Sequence, residues 1–159
     1  MSTLTIPSHT LTRSNWSEQE ADNVALITDF VQHLMNDHDL TYIRETFSNS
    51  DYVQHNRSIP DGMEGLIKYM EGFTKKFPEF SYDVKHIYAD GEFVVFHSHA
   101  TIKKAHRGNP DKGLNIMDSW RIVDGKIVEH WDALQAIDGS MRLFALLSGG
   151  KKVNDNGLF

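Results

Sequence analysis

The chain has 159 residues, 40% of them hydrophobic and 24% charged, with 16 Lys+Arg against 22 Asp+Glu for a net charge of −6. That size and composition indicate one globular domain able to build a core without staples, and the absence of cysteine removes disulfides, thiolate nucleophiles and zinc–sulfur sites. The acidic balance argues against nucleic acid, since the densest basic cluster is only Lys103-Lys104-Ala105-His106-Arg107 beside a Gly-Asn-Pro-Asp turn.

Residues 1–16 are polar and aperiodic and read as a flexible arm. They have neither the basic start nor the apolar core of a secretory signal, and no apolar run approaches the roughly 20 residues of a membrane helix, so no membrane partner and a cytoplasmic location are expected. Ser17-Glu18-Gln19-Glu20 has the form of a capping box, and Val24, Ile27, Phe30, Val31, Leu34 and Met35 continue at helical spacing to about Asn36. A second helix fits Leu40 to Phe47, and a third fits Met63 to Lys76, stopped by Pro78. Strands follow at Phe80–Tyr88 and Glu92–Lys104 around an Asp90-Gly91 turn, then at Leu114–Val123 and Lys126–Ala136 around Asp124-Gly125. Residues 138–159 form a C-terminal extension, with a short helix at Met141–Leu147 and a Gly/Lys/Asn-rich tail expected to fray. Helices first and an antiparallel meander after predict an α+β domain over residues 17–137, with three N-terminal helices packed on one face of a curved antiparallel β-sheet.

The second hairpin, Asp118 to Asp132, carries the most chemistry, and its register decides which side chains meet. A two-residue Asp124-Gly125 loop puts Ile122 beside Ile127 and Asp118 beside Trp131. A three-residue Val123-Asp124-Gly125 loop with a bulge instead pairs Trp120 with Val128 and Asp118 with His130, with Asp132 next on that face. The second arrangement is preferred because it gathers Asp118, Trp120, His130 and Asp132 inside and sends Arg121 and Glu129 outside as an ion pair. It leaves Met117, Ile127 and Trp131 on the outer face, where a homodimer contact is expected. Carboxylates and a histidine among apolar side chains either form a satisfied structural network, with Asp118 orienting His130, or have carboxylate pKa values pushed upward and serve as general acids and bases.

Nine histidines are the compositional oddity. His97 and His99 share one face of their strand; facing inward they join the polar cluster, which is the preferred reading, and facing outward they leave the interior to Val94, Phe96, Ala100 and Ile102. His55, in Tyr52-Val-Gln-His-Asn56, either hangs over a cavity mouth or is an exposed loop histidine. His97, His99 and His130 with a carboxylate also form a donor set that suits zinc, iron or manganese, but the spacing ensures only a shared face, and the expected site has no metal.

Tyr52-Val-Gln-His-Asn56 followed by Gly62 and Gly65, together with Asp118…Asp124-Gly-Lys-Ile-Val-Glu-His-Trp-Asp132…Gln135, resembles the SnoaL-like proteins, polyketide-cyclase relatives within the nuclear-transport-factor-2-like (NTF2-like) superfamily. The resemblance covers roughly residues 20–137. It implies an NTF2-like conical barrel, commonly dimeric through the sheet, and an aldol-type ring closure without metal or organic cofactor, in which the role of base and acid falls on Asp132. Asp118 stands where the family often has a histidine. The expected function is cofactor-free proton abstraction alpha to a carbonyl, leading to aldol-type cyclisation or isomerisation of a small apolar carbonyl compound. Asp132, Asp118, His130, His97 and His99 are the expected catalytic residues, and His55, Tyr52, Asn56, Trp120 and Trp131 the expected substrate contacts. The alternatives are a non-catalytic ligand-binding dimer and a metal-dependent enzyme at the histidine cluster.

Overall fold

The computed structural model describes residues 3–48, 51–148 and 151–159. Residues 1–2 of the expected arm and 149–150 of the expected extension lie outside them.

The arm contains a single helical turn, α1 (Ser8–Leu11). It docks on the domain: Ile6 is buried, its N–H donates to Gln32 Oε1 at 3.0 Å, and Gln32 Nε2 donates to Leu4 O at 2.9 Å. The next helix starts where its capping box predicts. Glu20 N–H donates to Ser17 Oγ at 3.2 Å and Ser17 N–H to Glu20 Oε2 at 2.8 Å, satisfying two otherwise orphaned donors at the head of α2 (Glu18–Val31). Val24, Ile27, Phe30 and Val31 form its buried stripe. The helix widens into a π-helical turn over Gln32–Asp37, then stops at His38, whose φ of 55° is left-handed. Asp39 caps α3 (Leu40–Phe47) by accepting from Tyr42 N–H at 3.0 Å. The strand β1 (Val53–Gln54) precedes α4 (Met63–Lys76). Gly65 is required there, because a Cβ would lie 2.7 Å from the Pro60 carbonyl oxygen.

Strands β2 (Ser81–Asp90), β3 (Phe93–Thr101), β4 (Leu114–Val123) and β5 (Lys126–Ala136) form the antiparallel meander, and α5 (Gly139–Ser148) follows it. The sheet order is β1-β5-β4-β3-β2, with β1 parallel to β5. The class is α+β as predicted, with a curved sheet whose inner face closes on α2, α3 and α4. The core joins Phe30, Leu34, Ile43 and Ile67 of the helical layer to Val94, Phe96, Ile116 and Trp120 of the sheet. The first hairpin turns one residue later than predicted: Asp90 pairs with Phe93, so Gly91 (φ 58°) and Glu92 make the turn.

The second hairpin corrects the preferred register. Val123 pairs with Lys126, so the loop is the two-residue Asp124-Gly125, with φ of 50° and 70° at the two positions as a type I′ turn requires. Ile122 lies opposite Ile127, and a bulge at Val128 then shifts the register so that Arg121 meets Glu129, Trp120 meets His130 and Asp118 meets Asp132. A tight turn without this bulge would set Asp118 against Trp131 and send His130 and Asp132 outside; the extra residue restores them to the interior. The bulge also reverses two expectations near the turn. Ile127 is buried, and Val128, expected inside, is partly exposed.

Candidate active site

Two adjacent strands supply four inward side chains. Asp118 and Trp120 of β4 lie opposite Asp132 and His130 of β5. Asp118 and His130 are buried, with His130 Nε2 3.1 Å from Asp118 Oδ1. The Trp120 ring packs against His130 at 5.3 Å between centroids and edge-on to Phe96 at 5.3 Å. On the other side β1 pairs with β5, bringing Gln54 beside His130, with Gln54 Oε1 2.9 Å from His130 Nδ1.

The chain then leaves β1, and Asn56 reaches back to Asp132. Its Nδ2 donates to Asp132 Oδ2 at 2.6 Å, while its Oδ1 accepts from Ser58 N–H at 2.9 Å. The Ser58 bond fixes which end of the amide is oxygen, so Asp132 receives a true donor.

Asp118, Trp120, His130, Asp132 and Asn56 line an inner cavity of about 120 Å³ whose walls are otherwise apolar apart from the phenols of Tyr52, Tyr69 and Tyr82. A wider vestibule of about 370 Å³ opens from it, lined by Arg57, Ser58 and Ala145 and sharing Asn56, Tyr69, Asp132 and Phe144 with the inner cavity. Asp132 therefore stands at the junction of the two. Burial pushes the Asp132 carboxyl above the usual carboxylate range; the His130 ring and the Asn56 amide pull it down, and Asp118 adds to the rise. Burial, then the charges of Asp132 and Asp118, holds Tyr52 well above the ordinary phenol value. Tyr82 is raised by burial, then by Asp118 and Asp132, and Tyr69 by burial and Asp132. All three stay neutral at physiological pH and are available as hydrogen-bond donors.

The structure separates residues that the sequence reading grouped. His97 and His99 face outward, because Val94, Phe96, Ser98 and Ala100 take the interior of β3. His97 Nε2 lies 2.6 Å from Asn115 Oδ1, its Nδ1 lies 3.0 Å from His86 Nδ1, and His99 Nε2 donates to Lys112 O at 2.6 Å. A sheet thus stands between them and His130, so these three imidazoles cannot share one metal ion. The donor set that geometry does gather is Asp118, His130 and Asp132, each with a ligand atom within 4.8 Å of the others, with His130 Nε2 already engaged with Asp118 Oδ1.

His55 and Trp131 are also corrected. Their rings stack on the outer face at 4.7 Å and 6° between planes, with His55 Nε2 3.5 Å from Glu129 Oε1, and neither lines the inner cavity. Arg121, expected to pair with Glu129, does so at 2.7 Å and also reaches Glu92 at 3.0 Å. Tyr52, Asn56 and Trp120 do line the cavity.

Sequence reasoning passed over Gln54, Tyr69 and Tyr82. For Gln54 the signal was present: period-2 alternation in Tyr52-Val-Gln-His-Asn56 puts Tyr52, Gln54 and Asn56 on one face and His55 on the other. The tail was missed as well. Asn154, expected in a fraying segment, is buried and donates to Asn56 O at 2.8 Å and Ile59 O at 2.7 Å. Asn156 Nδ2 donates to Gln54 O at 2.9 Å, and Val153 N–H to Arg57 O at 2.8 Å. The tail therefore braces the segment that carries Gln54 and Asn56. Replacing Asn154 with Ala strands two carbonyls, and the expected loss is about 1–3 kcal/mol in denaturant unfolding.

A family model for the SnoaL-like polyketide cyclases matches residues 25–139. Among curated proteins none matches the chain. Similar solved structures include AclR from Streptomyces galilaeus, assigned as a hydroxylase, with 26% identity and a TM-score of 0.60 over 82% of this chain and 86% of that one. A protein from Bacillus cereus assigned as a polyketide cyclase has 21% identity and a TM-score of 0.61 over 77% and 81%. IdmH from Streptomyces antibioticus, also assigned as a polyketide cyclase, has 24% identity and a TM-score of 0.57 over 78% and 97%. The matched span contains Gln54, Asn56, Asp118, Trp120, His130 and Asp132, and the curved sheet around them is the architecture the resemblance implied. The chain belongs to the SnoaL-like polyketide cyclase family.

Proposed function

We propose that the protein is a cofactor-independent acid–base enzyme acting on a small, largely apolar carbonyl compound, with Asp132 as the base. The observation that carries this reading is a carboxyl raised by burial at the junction of an apolar cavity and a vestibule, held by Asn56 and set beside the His130–Asp118 pair. Asp132 takes the proton from the carbon alpha to the carbonyl, the C–H electron pair becomes the C=C bond of an enolate, and the C=O π pair moves to the oxygen. The neutral phenols of Tyr69 and Tyr82 are the donors that stabilise this oxygen, with the His130–Asp118 pair lining the same cavity. The enolate carbon then attacks a second carbonyl in the same molecule, and the resulting alkoxide takes the proton back from Asp132. Return of the proton to a different carbon gives isomerisation instead. Charge stabilisation in a dry site is the larger contribution, and the positioned base adds roughly 10²–10⁴-fold.

The inner cavity, at about 120 Å³, is below the roughly 300–1,000 Å³ of sites that enclose drug-sized ligands. Only the reacting end of a larger substrate enters it, and the remainder lies in the vestibule against Phe144. The test is deuterium uptake alpha to the carbonyl in a panel of small β-dicarbonyl compounds in D₂O, followed by NMR. Enzyme-dependent, saturable exchange is expected; binding without exchange across the panel would favour a ligand-binding module.

We also propose that a second copy covers the outer sheet face, where Phe93, Met117 and Tyr88 are exposed on one surface with Trp131. Native mass spectrometry is expected to give twice the chain mass, and a monomer at micromolar concentration would refute this.

A further inference from the structure

The acceptor that holds His130 has a second partner, and that partner decides the imidazole's protonation. The backbone N–H of Asn56 donates to Gln54 at 2.9 Å, and a backbone N–H is only ever a donor. The Gln54 atom it meets is therefore the amide oxygen. The other end of the amide agrees, with Nε2 donating to the Tyr52 hydroxyl at 3.0 Å. Gln54 is fully buried, 0% exposed, so water does not offer it another arrangement.

His130 Nδ1 lies 2.9 Å from that same oxygen. An oxygen lone pair and a bare imidazole nitrogen would repel at this distance, so Nδ1 carries a proton. The opposite nitrogen, Nε2, lies 3.1 Å from Asp118 Oδ1. By the same reasoning that contact also needs one proton, either on the nitrogen facing a carboxylate or on the oxygen facing a neutral ring. Both placements give the pair no net charge.

We propose that Gln54 is a positioning residue that holds His130 in the Nδ1–H form and so makes Asp118 and His130 a neutral unit sharing a single proton between Nε2 and Oδ1. The proposal rests on the acid–base reading of the site, but it concerns the location of a proton and not turnover. A histidine beside a carboxylate with nothing on its far side would be neutral and protonated at Nε2, leaving a net negative charge next to Asp132. Under the Gln54 constraint Asp132 is the one net charge among the groups facing His130, the others being Asp118 within the pair and the neutral phenols of Tyr52 and Tyr82. The shared proton can shift along the Nε2–Oδ1 line as charge develops on a substrate oxygen. Asp118 Oδ2, the oxygen not engaged with His130, remains an acceptor in both placements, with the Tyr82 hydroxyl close enough to donate to Asp118.

The test is long-range ¹H–¹⁵N NMR of the imidazole nitrogens in the ¹⁵N-labelled full chain near neutral pH, without substrate. A protonated His130 Nδ1 is expected, and a bare Nδ1 overturns the proposal. In Gln54→Leu the ring is expected to switch to the Nε2–H form, so retention of the Nδ1 proton there also overturns it. If Gln54→Leu does not fold, Gln54→Glu keeps an acceptor at the same place and is expected to retain the Nδ1 proton; its loss would count against Gln54. Absence of α-proton exchange together with a protonated Nδ1 would sink the proposed function and leave this assignment standing.

Discussion

Asp132→Asn is expected to lower α-proton exchange by about 10²–10⁴-fold, equivalent to roughly 3–5 kcal/mol of transition-state stabilisation, while leaving the fold intact. The substitution keeps an oxygen to accept from Asn56 Nδ2, so the local geometry survives. It removes the carboxylate at the junction of cavity and vestibule, the group there that can take up a proton at neutral pH and return it. Measured exchange within a few-fold of wild type would end the assignment of Asp132 as base.

The same variant carries a stability signature with a definite sign. The Asp132 pKa is raised above 3.8, chiefly by burial. Well below that value the carboxyl is protonated in both folded and unfolded chains and the shift has no effect. As pH rises through 3.8, the unfolded chain releases this proton first while the folded one retains it, so stability falls until the folded pKa is passed. Above that point the penalty is constant. Asp132→Asn removes the penalty, so the variant is expected to match or exceed wild-type stability at neutral pH and lose this advantage at acid pH. Thermal melts of both proteins across pH 3–8 measure it. A catalytic carboxylate held at the expense of stability is the usual trade between activity and rigidity.

Trp120→Ala carries the largest expected effect on stability, about 3–5 kcal/mol. The ring is 1% exposed, contacts Phe96 and His130, and forms part of the cavity wall. Its removal both creates a void and admits water to the Asp118–His130 pair, which weakens the electrostatic interactions of a dry site. A fall in the urea midpoint with an unchanged m value is expected, with exchange activity falling alongside it. Trp120→Phe retains most of the packing and is expected to recover most of both. A loss of unfolding free energy below about 1 kcal/mol would mean that the packing does not depend on the ring.

Much of this site is legible residue by residue. Asp118, Trp120, His130 and Asp132 can be assigned to one face because side chains alternate along strands, and the wrong loop length gave the right face because a bulge after a tight turn has the same parity as the longer loop. Alternation does not say which face of β3 is inside, since Val94, Phe96 and Ala100 compete with Phe93, Val95 and Thr101. Two histidines on one side looked like partners for the acidic cluster. Burial was decided by the helices packed against the sheet, which leave the interior to the apolar set and Ser98.

By itself the sequence determined the α+β class, the capping box at Ser17, α3, α4 and the extents of β4 and β5, because each rests on local periodicity, capping or turn chemistry. Only the tertiary structure decided that Gln54 meets His130, that Asn56 meets Asp132 and that Asn154 anchors the loop between them. The first two of these pairs are each 76 residues apart in sequence and the third 98. No local pattern encodes such contacts; they exist because β1 adds to the edge of β5 in parallel and the tail returns across it, and each polar group buried there must find a partner once water is excluded.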